Sequence, residues 1–83
     1  MEIVRGTVVR SKAGHDKGLY LAVLEVEGRY ALTADGKTRS LSSPKKKNVI
    51  HLAATAAVLD EAQMENDSVL RKALKGFSAA KTV

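Results

Sequence analysis

The chain has 83 residues, no cysteine, one proline and a formal net charge of +5. That length supports one small domain rather than a large enzyme core. The absence of cysteine excludes a disulfide framework or a thiolate metal site, and no run approaches the ~18 apolar residues of a membrane-spanning helix.

The charge is unevenly placed. Residues 1–52 hold ten Lys or Arg against five Asp or Glu, whereas residues 53–83 hold four of each. The whole excess therefore lies on the N-terminal part, as expected of a segment that meets nucleic acid or another anionic surface.

Residues 2–12 predict a first strand, with Ile3, Val4, Val8 and Val9 interrupted by Arg5, Thr7 and Arg10. Met1-Glu2-Ile3-Val4-Arg5 enters that pattern directly, without a signal-peptide apolar region, so a cytoplasmic protein is expected. The next segment, Lys12-Ala13-Gly14-His15-Asp16-Lys17-Gly18, is a basic loop whose glycines suit a tight connection. Residues 19–27 predict a second strand and Arg29 to Ala34 a third, joined at Gly28-Arg29.

Asp35-Gly36 is a strong signal for a two-residue type I′ hairpin leading into a fourth strand from Lys37 to Leu41. Ser42-Ser43-Pro44 breaks that ladder, Lys45, Lys46 and Lys47 follow, and Asn48 to Leu52 supplies a fifth strand. Five short strands suggest a small barrel that closes its own edges. In the tail, residues 53–65 read equally as helix or extended chain. A helix is predicted over about 67–76, with Asn66 or Asp67 as N-cap, Gly76 ending it, and Leu70, Ala73, Leu74 and Phe77 forming one apolar face against the barrel.

Two constellations could carry function. In the first loop, Lys12 and Lys17 can reach phosphate oxygens, His15 can donate a hydrogen bond or stack, and Gly14 and Gly18 allow close backbone approach. The second comprises Arg29, Lys37, Arg39, Lys45, Lys46 and Lys47; in a strand, Lys37 and Arg39 would share one face. Tyr20, Tyr30 and Phe77 are the only aromatic residues. With so few stacking platforms, recognition of folded RNA by shape and backbone is favoured over sequence reading.

Catalysis finds no support. His15 and His51 lack metal-ligand spacing, Asp60, Glu61, Glu65 and Asp67 have no nearby histidine or nucleophile, and no phosphate loop or nucleophile elbow occurs. A non-enzymatic chain is expected, with no metal, no cofactor and no small-molecule substrate.

The spacing Gly6-Thr7-Val8, Gly14-His15, Lys17-Gly18 and Ala31-Leu32-Thr33-Ala34-Asp35-Gly36 resembles the KOW motif and the barrel of a large-subunit ribosomal protein family of archaea and eukaryotes. Short bacterial KOW-domain proteins with that likeness are closer still, through Asp35-Gly36-Lys37 and Pro44-Lys45-Lys46-Lys47. The resemblance spans roughly residues 3–52. It implies a mainly β fold: a five-stranded SH3-like barrel over residues 1–52, followed by an extension over 53–83 with a short helix packed on it. It further implies RNA binding, to ribosomal or ribosome-associated RNA, through Lys12, Gly14, His15, Lys17 and Gly18, and more loosely through Arg39 and the three lysines. The neutral tail departs from the long basic extensions of the larger ribosomal proteins. The alternatives are a protein-interaction barrel of a transcription or translation complex, and a double-stranded DNA binder.

Overall fold

In the computed structural model, the backbone is described for residues 2–81 and side chains for residues 2–77. Five strands, β1 (Thr7–Ser11), β2 (Tyr20–Glu27), β3 (Tyr30–Ala34), β4 (Lys45–Asn48) and β5 (Leu52–Val58), form one antiparallel sheet in the order β4-β3-β2-β1-β5. The sheet curls in a barrel-like manner but stays open, with β4 and β5 at its edges. A 3₁₀ turn over Val49–His51 links β4 to β5, a second covers Glu61–Met64, and helix α1 (Asp67–Lys81) follows.

Thr7, Val8 and Val9 are all buried because β1 has strands on both sides and packed layers on both faces. Val9 joins Leu21, Val23, Ala31 and Leu52 on one face, with Ile3 and Val49 against them. Val8 joins Ala22, Ala34, Leu59, Met64, Leu70 and Leu74 on the other. The predicted helical stripe is therefore observed: Leu70 and Leu74 are buried, and Ala73 and Phe77 pack beside them.

Asn66 caps α1, its side-chain oxygen accepting from the Val69 amide at 2.9 Å. Gly76 does not end the helix, which continues to Lys81. The Glu61–Met64 turn has a reciprocal cap between Asp60 and Gln63.

Two interruptions of the ladder are closed by side chains. Register shifts at Leu24, between Val23 and Glu25, and the Leu24 carbonyl accepts from Arg5 Nη1 at 2.8 Å. Between Ala54 and Val58, the Thr55 hydroxyl donates to the Val8 carbonyl at 2.8 Å.

Three expected elements are corrected. Residues 37–41 form no strand. The lysine run is itself β4, and the fifth strand is Leu52–Val58 rather than 48–52. The Asp35-Gly36 turn is also of another kind, since only glycines adopt positive φ among the described residues and Asp35 therefore does not. Asp35 Oδ1 instead accepts from the Lys37 and Arg39 amides at 2.9 and 2.8 Å, winding the loop around a carboxylate.

Candidate nucleic-acid interface

The loop between β1 and β2 is held by its own backbone. Gly18 N–H donates to the Ser11 carbonyl, Ser11 N–H to the Leu19 carbonyl, and Leu19 N–H to the Asp16 carbonyl. Gly14 and Gly18 sit at φ +85° and +91°, and nothing approaches the place of a Gly18 side chain. Both glycines are thus required by the turn itself. Lys12, His15 and Lys17 project from this frame and are exposed.

Asp16, within the same loop, turns inward. Its Oδ1 accepts from Ser11 Oγ at 2.9 Å and from Lys47 Nζ at 2.9 Å. The Asp16 and Lys47 side chains are only 10% and 8% exposed, so this is a buried pair. Burial works to raise the Asp16 carboxyl. The hydrogen bonds from Lys47 and Ser11, with the charge of the ammonium, outweigh it and hold the group below the ordinary carboxylate range. Lys47 also reaches the Ala13 carbonyl at 3.4 Å. It belongs to the loop's foundation and leaves the expected basic surface.

Strand register sorts the remaining candidates. The β1–β2 loop, the connection leaving β3 at Ala34, the start of β4 at Lys45 and the start of β5 at Leu52 all lie at one end of the sheet, because Ser11 pairs with Leu52, Ala22 with Ala34 and Thr33 with Lys45. This end gathers Lys12, His15, Lys17, Lys37 and Lys45, all exposed, with half-buried Arg39 behind them. Arg39 is fixed by its backbone to Asp35, and its Nε is enclosed without a hydrogen-bond partner.

Arg29 occupies the β2–β3 turn, at the far end of an eight-residue strand that spans roughly 25 Å. It does not join the loop. Lys46 stands near that far end, with Nζ 5.2 Å from the centre of the Tyr30 ring and 3.7 Å from Glu27 Oε1. Tyr30 is 40% exposed, and the Lys46 ammonium lies over its ring.

The acids are partitioned as well. Glu25 and Glu27 lie at the end of β2 remote from the loop, and Glu61 clamps Arg5 through two contacts of 2.7 and 2.8 Å. At the loop end, Asp16 is paired inside and Asp35 is occupied by turn amides. None of Lys12, Lys17, Lys37 or Lys45 forms an ion pair with a described residue. Sequence reading passes over three further cations. Arg10 stands directly across from Tyr20 on β1, and Arg71 and Lys75 lie on α1; all three are exposed. The periodicity that places Arg71 and Lys75 beside Leu74 was the available signal.

Neither protein-family models nor curated protein sequences give a match to this chain. No group of three or more His, Asp or Glu among the described residues could hold a metal ion. No described helix is long and apolar enough to cross a membrane.

Proposed function

We propose that this is a non-enzymatic RNA-binding module with an SH3-like, KOW-type β fold, which contacts structured ribosomal or ribosome-associated RNA through the β1–β2 loop end of its sheet. One observation carries the reading: at that end the two acids are internally engaged, while Lys12, Lys17, Lys37 and Lys45 are exposed and unpaired. Such an arrangement offers fixed positions for several phosphates, and among the described residues no carboxylate is ion-paired with these ammonium groups. The Asp16–Lys47 pair keeps the loop from collapsing, so Lys12 and Lys17 stand on a rigid base. Lysines make point contacts with phosphate rather than bidentate contacts with base edges, which favours backbone and shape recognition.

The test is titration of the full chain with a labelled RNA hairpin across a salt series. Log K falls linearly with log[salt], at about 0.7 to 0.9 per phosphate engaged. Lys12→Glu with Lys17→Glu removes most of the binding, and unchanged affinity in that variant overturns the assignment. Equal competition by a DNA duplex favours the DNA reading. Capture of an acidic protein partner that survives nuclease treatment, with no RNA affinity, favours the interaction-barrel reading.

A further inference from the structure

Between α1 and the loop after β3 runs a groove of about 290 Å³, at the small end of the range of ligand sites. Leu19, Tyr20 and Leu74 form its apolar lining, and Lys37, Arg71 and Lys75 its cationic members. Arg71 and Lys75 are one helical turn apart on α1, flanking Leu74. Lys37 comes from the opposite wall. Asp35 also lines the groove, but its Oδ1 is taken by the Lys37 and Arg39 amides. Leu19 and Tyr20 directly follow Lys17 and Gly18, so the groove begins where the basic loop ends. Tyr20 is backed by Phe77, with ring centres 5.6 Å apart.

Resting on the RNA reading above, we infer that this groove holds one unpaired nucleotide adjoining the structured segment gripped by the loop, its phosphate among Lys37, Arg71 and Lys75 and its base against Leu19, Tyr20 and Leu74. The combination of surfaces decides the ligand class. A duplex presents phosphates outward and stacks its base faces inside, so it would use the cations and leave the apolar lining wet. An acidic peptide without aromatic residues likewise supplies charge with no planar apolar face. An unpaired nucleotide satisfies both surfaces, since every base has a face that packs on apolar or aromatic side chains. The helix thus contributes to binding although its segment is neutral overall: Arg71 and Lys75 face the groove, whereas Asp60 and Glu61 lie in the preceding turn.

The experiment compares two dye-labelled RNA hairpins, one blunt and one with a short single-stranded extension, bound to the full chain and to Arg71→Glu with Lys75→Glu. Both substituted positions are exposed, and a thermal melt confirms that the variant folds. The expected result is that the wild-type chain binds the extended hairpin about tenfold more tightly. The variant loses that advantage and binds the two hairpins with equal affinity, the charge reversal weakening both alike. Photocrosslinking from a thiouridine in the extension attaches to Tyr20 or Leu19 in the wild-type chain. Equal binding of the two hairpins by the wild-type chain, or an advantage that survives in the variant, overturns the groove assignment and leaves the RNA reading standing. Failure of the wild-type chain to bind either hairpin overturns the RNA reading, and the groove assignment with it.

Discussion

Lys47 Nζ lies 2.9 Å from Asp16 Oδ1, joining the last of three consecutive lysines to the middle of a loop 31 residues earlier. The two side chains are about nine-tenths buried, so removing one leaves an uncompensated charge in a poorly hydrated place. Lys47→Met is expected to destabilise the chain by about 3–5 kcal/mol. Lys45→Met, at an exposed position of the same strand, is expected to stay within about 0.5 kcal/mol, and Lys46→Met, which also gives up the Tyr30 and Glu27 contacts, within about 1 kcal/mol. Urea denaturation of the three variants measures the contrast. Adding Asp16→Asn to Lys47→Met recovers part of the loss.

The same pair sets an acid limit. The Asp16 carboxyl is held below its ordinary value, so the stability it contributes is complete above the unfolded pKa of about 3.9 and is lost as pH falls through the lower folded value. Denaturant midpoints taken from pH 6 downwards should therefore drop more steeply below about pH 4 in the wild-type chain than in Asp16→Asn. Parallel curves would remove Asp16 from this role.

Gly36 is buried at φ +78°, and a side chain there would run into the Asp67 carbonyl and stand 3.0 Å from the Arg71 amide. Gly36→Ala combines a left-handed backbone penalty of about 1–2 kcal/mol with overpacking of about 1–3 kcal/mol. Gly18→Ala, at φ +91° in open space, bears only the first. Thermal melts should rank Gly36→Ala well below Gly18→Ala.

The split of the basic residues between two ends of the sheet makes a prediction for binding. Lys12→Gln with Lys17→Gln should reduce the slope of log K against log[salt] by about 1.4 to 1.8, two phosphates' worth. Arg29→Gln, at the far end of β2, should leave the slope unchanged. Anisotropy titrations with one RNA hairpin compare the two.

β1, β2, β3 and the apolar stripe of α1 were legible because periodicity and burial agree in them: Val8 and Val9 alternate between two cores, and Leu70 and Leu74 recur on one face. β4 was hidden because three lysines are poor strand formers, and only pairing with β3 at a sheet edge makes them one. β5 was hidden by its alanines at 53, 54, 56 and 57, which favour helix until Thr55 and the β1 ladder hold them extended. Asp35-Gly36 has the letters of a hairpin, but a carboxylate can also collect two amides, and the sequence does not rank those options. The loop's exposed cations Lys12 and Lys17 were readable. The burial of Lys47 was not, since it depends on a partner distant in the chain, and Arg71 and Lys75 were overlooked because the tail's net charge averages them away.

Asp67 turns its side chain away from its own helix, and Oδ1 accepts from the Leu41 amide at 2.7 Å. That bond ties the loop after β3 to the first turn of α1, so both walls of the groove are fixed when the chain folds. A ligand entering there meets a preorganised slot, and little of its binding free energy is lost in ordering protein segments. In the nucleotide-binding reading, the cost of binding at the groove then lies in ordering the exposed Lys37, Arg71 and Lys75 side chains rather than in moving the backbone.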